Sequence, residues 1–207
     1  MAYNGSVKRA SQTSSIATAS PLGILCFSST TLIFSVVNMF LFGIRHPHIV
    51  VGMAIGAGGL VELLAGMWEF ARGNAFGGTI VLASYSAFWL SFAAILIPGT
   101  GIAAGYEGNM EELFAALGVY LAPWCILTYI FMDISWRRGD KLYAAMFASL
   151  LCTYSLATAG KFVEFMTGIM MTAVGGGFGV ITSIIGFYIG YKELLAADQV
   201  ALHPKRD

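Results

Sequence analysis

The chain has 207 residues, of which 57% are hydrophobic and only 11% are charged, and its formal net charge is +0. Soluble domains carry about a quarter charged residues, so this chain cannot cover a water-facing surface with polar groups. A neutral chain without a long basic run gives no reason to expect a nucleic-acid partner. The composition therefore predicts an all-α integral membrane protein with room for about six spans of ~20 residues.

Six apolar segments of a length that can cross a bilayer follow one another along the chain. We predict spans at 21–43, 49–68, 76–97, 113–132, 142–160 and 170–191. Residues 1–19 are rich in Ser and Thr and are predicted to be a disordered tail. Residues 20–192 would form the transmembrane domain and residues 193–207 a second tail.

The distribution of Lys and Arg predicts the orientation of these spans. Six spans place both tails, the turn between spans two and three, and the loop between spans four and five on one side. That side holds nine Lys and Arg residues, whereas the opposite side holds only Arg45 and Lys161. By the positive-inside rule both termini are expected in the cytoplasm.

Glycines four residues apart predict where helices approach closely. Such pairs occur at 52/56 in the second span and at 186/190 in the sixth. Small residues one turn apart allow two backbones to pack together, within a protomer or between protomers.

Three predicted spans carry a face of mixed hydroxyl and aromatic side chains at helical spacing. These faces hold Phe27, Thr30, Thr31, Phe34 and Asn38 in the first span; Tyr85, Phe88 and Phe92, with Ser84, Trp89 and Ser91 beside them, in the third; and Leu150, Thr153, Tyr154, Ala157, Thr158 and Lys161 in the fifth. A single hydroxyl can be satisfied by a carbonyl of its own helix and then indicates nothing about function. Three such faces favour a shared, partly wet path for a small polar solute.

Charged residues are sparse inside the spans, and only Glu62 lies deep in one. An unpaired ionised carboxylate is costly there, so Glu62 is expected to be protonated or paired, for a functional or a structural reason. Lys161 lies near the end of its span, where it could attract anions or extend towards water. Glu69 and Arg72, in the turn between spans two and three, are expected to pair with each other.

No feature of the sequence supports catalysis. There is no nucleophile–base pair, no phosphate-binding loop and no metal-ligand spacing, and the three histidines lie outside the spans. We therefore expect neither an enzyme nor a cofactor.

Several short motifs together resemble the acetate uptake transporter family. They are Pro21-Leu22-Gly23-Ile24, the stretch 59–70 (GLVELLAGMWEF), Gly73-Asn74-Ala75-Phe76-Gly77 and Ser84-Tyr85. The resemblance extends over residues 18–195. It implies six helices around a pore in each protomer, a homo-hexamer similar in architecture to the acid-activated urea channels, and a place in the plasma membrane. It also implies transport of acetate and other small monocarboxylates, coupled to protons.

The resemblance further implies a hydrophobic constriction made by Phe27, Tyr85 and Leu150. The neighbouring hydroxyl and amide side chains of the three faces would then offer hydrogen bonds to a carboxylate. The sequence departs from the family where an Asn and a Pro are missing before Ser20-Pro21, and where Glu62 replaces a usual Gln. Two other functions stay open: a channel for ammonia, urea or a similar neutral solute, and a membrane signalling protein without transport.

Overall fold

The computed structural model describes residues 17–44 and 46–202. The predicted tail up to residue 16, Arg45 of the charge count and residues 203–207 lie outside these described residues. Ala17, Thr18 and Ala19 belong to the predicted disordered tail, yet they make specific contacts with the end of the second span. Thr18 Oγ1 and the Ala19 N–H both donate to Glu69 Oε1 at 2.9 Å, and Trp68 Nε1 donates to the Ala17 carbonyl at 2.9 Å.

Six helical segments occur in the predicted order, and residues 17–44 and 46–202 contain no β-strand. They are α1 (Ser20–Asn38), α2 (His48–Ala71), α3 (Phe76–Ala83 followed by Ser84–Leu96), α4 (Met110–Arg137), α5 (Lys141–Ala159) and α6 (Phe165–Leu202). All except α3 contain a helix that is long and apolar enough to cross a membrane.

The two helices joined by the turn at Gly73, α2 and α3, each contain a wide, π-helical turn. In α2 the stretch Gly56–Val61 is π-helical, and in α3 the first eight residues, Phe76–Ala83, are π-helical. This leaves α3 only thirteen α-helical residues, which is why it falls short as an uninterrupted span. π-Helical turns are rare and frequently occur at functional sites.

The ends of several helices differ from the predicted spans. α1 begins with Pro21 in its first turn, where the missing N–H costs nothing, but it ends at Asn38 because Phe40 and Phe42 adopt left-handed backbone angles. α4 continues through the predicted loop to Arg137, which forms an ion pair of 2.6 Å with Asp133. α6 continues to Leu202, beyond the apolar stretch that marked its predicted end.

α6 packs along both α1 and α5, and α5 packs along α4. Gly186 and Gly190 of α6 lie against Ser28 and Leu25 of α1, so the predicted close packing occurs there. The other predicted pair differs, because a Cβ added at Gly52 or Gly56 would have no non-local atom within 4 Å.

The core is a cluster of buried aromatic side chains between α1, α3, α4 and α5. Its largest fully buried members are Phe27, Tyr85, Phe88, Trp89 and Phe147. The Tyr85 ring lies within 5.1 Å to 6.5 Å, centroid to centroid, of four other aromatic rings. This cluster forms the buried middle of the described part of the protomer.

Candidate functional site

Two cavities lie at opposite ends of the helix bundle. The first, here called the Lys161 cavity, has a volume of about 210 Å³. It is lined by aromatic and aliphatic side chains with a few polar ones: Thr31, Phe34, Ser35, Asn38, Phe88, Trp89, Phe92, Leu121, Leu150, Thr153, Tyr154, Lys161 and Thr172 among others. A wider cavity of about 390 Å³ adjoins it and shares Asn38, Pro47, Lys161 and Thr172.

The second, here called the Glu193 cavity, has a volume of about 240 Å³ and a more polar wall. It is lined by Ser20, Ile24, Asn74, Phe76, Gly77, Leu82, Arg138, Asp140, Tyr143 and Glu193. Its residues come from the start of α1, the turn before α3, the connection between α4 and α5, and the far part of α6.

The aromatic cluster separates the two cavities along three helices. On α1, Phe27 lies about one turn from Ile24 of the Glu193 cavity and one turn from Thr31 of the Lys161 cavity. On α3, Tyr85 occupies the same position between Leu82 and Phe88. The rings of Phe27 and Tyr85 are in contact, with centroids 5.1 Å apart, and both side chains are at most 1% exposed.

Of the three residues predicted to form a constriction, Leu150 has a different position from the other two. It lies on the wall of the Lys161 cavity and is 3% exposed, whereas Phe27 and Tyr85 line neither cavity. Phe27 and Tyr85 thus lie between the two cavities, whereas Leu150 lies at the wall of the Lys161 cavity.

The hydroxyl of Tyr85 already has a partner. Tyr85 OH and Thr128 Oγ1 of α4 are 2.9 Å apart, and both side chains are fully buried. Sequence reasoning assigned this hydroxyl to a permeating carboxylate and did not identify Thr128. Thr128 lies on α4, for which we described no polar face, although it is a hydroxyl inside a predicted span.

Five of the predicted polar or aromatic path residues do line the Lys161 cavity: Thr31, Trp89, Asn38, Thr153 and Lys161. Thr31 Oγ1 and Trp89 Nε1 are buried and have no hydrogen-bond partner among the described residues. A polar group left unpaired in an apolar wall is costly, so these two donors favour a polar occupant such as water or a solute.

Thr30, Ser84 and Thr158 are not among the residues that line either cavity. Thr30 is fully buried and donates to the Cys26 carbonyl at 2.9 Å, which is the local hydrogen bond available to any helical Thr. Thr158 Oγ1 lies 3.5 Å from Cys125 Sγ. The observed contact of Thr30 is thus within its own helix, and that of Thr158 is with a neighbouring helix.

Glu62 lies directly after the π-helical turn of α2 and is 0% exposed. Neither of its carboxylate oxygens has a hydrogen-bond partner among the described residues. A charged carboxylate in that environment would be uncompensated, so the neutral, protonated form is the one that this position accommodates.

Lys161 lies in the connection between α5 and α6 and reaches the walls of both the Lys161 cavity and the wider cavity. Burial lowers the pKa of its ammonium below that of a free lysine, because removing the charge from water disfavours the protonated form. Its Nζ lies 5.3 Å from the centroid of the Phe114 ring, a cation–π contact that offsets part of this cost.

At the other end of the bundle, Glu69 and Arg72 form the expected ion pair, 3.0 Å between Nη1 and Oε1. Glu69 is only 1% exposed and also accepts from Asn74 Nδ2 at 2.7 Å, besides Thr18 and Ala19. These further partners of Glu69 could not be predicted from the sequence, because they depend on where the chain before α1 packs against the end of α2.

Sequence reasoning also missed the polar residues of the Glu193 cavity. Tyr143 could have been found, because the helical face that holds Leu150 continues back to it with the same spacing. Glu193 lies beyond the predicted end of the sixth span and carried no such signal. In the part of the chain that the structure describes, no group of three or more His, Cys, Asp or Glu could hold a metal ion.

Comparison with known proteins gives three kinds of finding: a family profile, related sequences and a solved structure. A family profile described as the GPR1/FUN34/yaaH family matches residues 3–206. Ammonia transport outward protein 2 of Saccharomyces cerevisiae is 38% identical over 191 residues, which cover 91% of this chain and 66% of that protein. Acetate permease A of Emericella nidulans is 36% identical over 180 residues, which cover 83% of this chain and 59% of that protein. The chain thus spans less than two thirds of the length of these fungal relatives.

The third finding is a solved structure, described as that of the bacterial acetate channel SatP. It matches this structure with a TM-score of 0.73 at 28% sequence identity, covering 87% of this chain and 93% of that chain. The prediction of an all-α integral membrane fold is thereby confirmed.

Proposed function

Because the chain belongs to the GPR1/FUN34/yaaH family, we propose that it is a multi-pass transporter or channel for acetate and other small monocarboxylates. The observation that carries this proposal is the pair of cavities at opposite ends of one protomer, separated only by the buried aromatic layer around Phe27 and Tyr85. The names of the acetate permease and of the bacterial acetate channel support the choice of solute.

The Lys161 cavity has the chemistry that a small carboxylic acid requires. Lys161, the one cation among the described residues that line it, attracts the carboxylate, and the free donors of Thr31 and Trp89 offer hydrogen bonds deeper in the cavity. The aromatic walls accept the methyl group of acetate. A volume of about 210 Å³ admits such an acid and leaves little room for a long one.

The Phe27–Tyr85 pair, with Leu150 on its approach, is the proposed constriction. An apolar constriction selects solutes that present a small apolar part and shed little water. Acetate has only a methyl group to pass, so bulkier acids are excluded by size.

Uptake of labelled acids into proteoliposomes tests this assignment. Leu150→Ala widens the approach and is expected to raise the flux of a larger acid, such as butyrate, relative to that of acetate. Tyr85→Phe is the matched control, because it removes the hydroxyl bonded to Thr128 while keeping the ring in the barrier. It should leave the acid selectivity unchanged, even if the protein loses some stability.

Unchanged selectivity of Leu150→Ala would contradict the constriction. A large loss of acetate flux in stable Tyr85→Phe protein would instead show that the hydroxyl binds the acid directly. No acetate flux through correctly assembled wild-type protein would contradict the transport function itself.

We further propose that acetate moves with a proton and that Glu62 holds a proton beside the barrier. Its complete burial and unpartnered oxygens support this role. A pH-sensitive dye inside the liposomes measures protons moved per acetate, and Glu62→Gln is expected to lower that ratio. An unchanged ratio would leave Glu62 with a structural role only.

A second candidate solute is ammonia. Two observations support it. A relative of 38% identity is named for outward ammonia transport, and the Tyr85 hydroxyl in the barrier is already bonded to Thr128. Competition distinguishes the two solutes: acetate flux that ammonium does not reduce, and that other small acids do reduce, favours the acid.

The assembly and placement that we propose are a homo-hexamer in the plasma membrane with both termini in the cytoplasm. Large apolar side chains exposed on one protomer, such as Ile55, Leu60 and Leu64 of α2, support burial against lipid or against further copies. The mass of the detergent-extracted complex tests the subunit number.

A further inference from the structure

The wider cavity beside the Lys161 cavity has no role in the transport path proposed above. Its volume is about 390 Å³, against about 210 Å³ for the Lys161 cavity, and lies within the range of about 300–1,000 Å³ that is usual for small-molecule sites. The two cavities meet at the four residues that they share: Asn38, Pro47, Lys161 and Thr172. A solute held at Lys161 therefore has room on two sides, towards the aromatic barrier and away from it.

The polar side chains of the wider cavity are gathered at this junction. Among the described residues that line it, three have polar side chains, Asn38, Lys161 and Thr172, and all three also line the Lys161 cavity. The rest of its wall is apolar, and the largest side chains there are those of Phe40, Phe114 and Phe165. Such a wall suits a ligand with one charged end and an apolar tail.

An apolar surface begins directly beside the charge of Lys161. Its Nζ lies 5.3 Å from the centroid of the Phe114 ring, and the rings of Phe114 and Phe165 stack with centroids 6.3 Å apart. Within residues 17–44 and 46–202, no carboxylate lies within 4.0 Å of the Nζ, so its charge is available to a ligand. A carboxylate that pairs with the ammonium places the carbon chain behind it within reach of the two rings, and burying that chain is favourable.

Phe40 reaches the same wall through an unusual backbone conformation. It follows the end of α1 with a φ of 56°, in the left-handed region that a bulky side chain rarely adopts. Residues held in such conformations are found at turns and at ligand sites, where the surrounding structure imposes them. Phe42 has a similar φ of 58° but lines neither cavity. Of these two residues, Phe40 is thus the one placed to contact a ligand.

We propose that the wider cavity binds medium-chain monocarboxylates, such as hexanoate, and that these acids block the path of acetate instead of passing through it. The carboxylate pairs with Lys161, and the hydrocarbon chain lies against Phe40, Phe114 and Phe165. The ammonium complements the charged end of the ligand, and the aromatic wall buries the apolar end. This inference rests on the proposed acid transport and names a class of inhibitor for the same site.

The two ends of such a ligand explain why it blocks. Its carboxylate occupies the cation that acetate would use, so the two acids compete. The Lys161 cavity ends at the closed Phe27–Tyr85 pair, whose ring centroids are 5.1 Å apart, and leaves little room for a long chain. The chain is therefore accommodated on the other side of Lys161, in the wider cavity.

Inhibition of labelled acetate uptake into proteoliposomes tests the site at neutral pH, where both acids are ionised. The flux into protein-free liposomes is subtracted. Acids from propionate to hexanoate should inhibit competitively, and the Ki should fall about two- to fourfold with each added methylene, as expected for burying a CH₂ group in part or in full. Labelled hexanoate should not enter above the protein-free background. Hexanol, which has the same chain length and no carboxylate, is the control for effects on the bilayer and should not inhibit.

Phe40→Ala gives a second readout, because it removes a part of the wall that only a longer chain reaches. The ratio of the hexanoate Ki to the acetate KM should rise several-fold. Phe42→Ala is the matched control: Phe42 has the same side chain and a similar left-handed backbone, is 89% exposed, and lines neither cavity. Its ratio should stay at the wild-type value.

Three results in wild-type protein would overturn the blocking site alone: a Ki that does not depend on chain length, equal inhibition by hexanol, or entry of hexanoate that depends on the protein. An unchanged ratio in Phe40→Ala, or an equal rise in Phe40→Ala and Phe42→Ala, would overturn it as well. Wild-type protein without saturable acetate uptake contradicts the proposed function, and the blocking site with it.

Discussion

Lys161 is the residue that we propose to attract an anion towards the path. It reaches the walls of two cavities, and burial lowers the pKa of its ammonium. Between this lowered pKa and the ordinary lysine value, the unfolded chain binds more protons than the folded one. Folding stability therefore rises with pH through that window, while the charge available to an anion is lost.

We expect the charge of Lys161 to strengthen the binding of acetate. At neutral pH, Lys161→Met should raise the KM for acetate about tenfold, equivalent to about 1.4 kcal/mol. In wild-type protein the KM should rise as the external pH becomes alkaline, at a lower pH than a free lysine would give. Initial rates of labelled acetate uptake over an alkaline pH series measure both effects.

Lys161→Arg is the control, because arginine stays charged over the whole series. Its KM should remain flat where the wild-type KM rises. Parallel curves for the two proteins would exclude Lys161 as the anion-attracting group.

Individual side chains could be assigned from the sequence only as far as helical spacing reaches. Spacing placed Thr31 and Asn38 on one face, and Thr153 and Lys161 on another, because a face is a property of one helix. In the structure all four residues line the Lys161 cavity. Spacing could not show that Tyr85 OH lies 2.9 Å from Thr128 Oγ1, because that contact depends on the rotation of a second helix.

At the scale of the helix, Gly58 is one of the glycines that let α2 approach α3 closely. A Cβ added at Gly58 would lie 2.5 Å from Trp89 Cδ1 and 3.0 Å from Thr30 Cγ2. Trp89 and Thr30 are both buried, and Trp89 could give way only into the Lys161 cavity, whose wall it helps to form. Gly58 thus allows α2 to approach the aromatic cluster.

We therefore expect Gly58→Ala to destabilise the protein by about 1–3 kcal/mol, the usual cost of overpacking a filled core. It should also reduce acetate flux, because Trp89 lines the Lys161 cavity. Thermal unfolding in detergent and uptake by the same preparation measure the two effects.

Gly52→Ala on the same helix is the matched control, since its added Cβ meets no atom within 4 Å. Alanine favours the helix over glycine, so the protomer should be equally or slightly more stable. Equal losses in both variants would show that α2 is sensitive to any change, and the Gly58 contact would not be special.

The existence and order of the helices could be predicted because twenty-residue apolar runs are a strong signal. Their ends could not, because charged residues such as Asp133 and Arg137 continue a helix into water as readily as they form a loop. The π-helical turns had no sequence signal beyond a richness in glycine.

At the scale of the whole molecule, the two cavities differ in chemistry. The Lys161 cavity is mainly apolar with one cation, whereas the Glu193 cavity holds Arg138, Asp140 and Glu193. The distribution of Lys and Arg predicts that the Glu193 cavity opens to the cytoplasm. In that orientation, an acid entering from outside would meet Lys161 first.

Cysteine labelling tests this orientation. In protein whose Cys26, Cys125 and Cys152 are replaced by alanine, a membrane-impermeant maleimide applied to intact cells should label Glu111→Cys. Asp140→Cys should react only after the membrane is permeabilised, because it lies on the cytoplasmic side in the predicted orientation. Glu111 is exposed and the side chain of Asp140 is 44% exposed, so a reagent on the same side of the membrane can reach either one. The reverse pattern would overturn the predicted topology.

The resemblance to the acetate uptake transporter family is confirmed by the profile match and by the similarity to the bacterial acetate channel. It could be recognised because each motif is contiguous and most of them lie in the hairpin formed by α2 and α3. The Glu193 cavity could not be predicted from the sequence, because its walls come from four places in the chain that meet only after folding.

The wide turns Gly56–Val61 and Phe76–Ala83 have a consequence for sequence comparison. A π-helical turn accommodates an extra residue, and one residue corresponds to a rotation of about 100° in an α-helix. Removing a single residue from either turn would rotate Glu62 or Tyr85 from the core towards another side of its helix. When this chain is aligned with another, a one-residue gap in either turn therefore indicates that different side chains line the proposed path. This holds even where every neighbouring residue is the same.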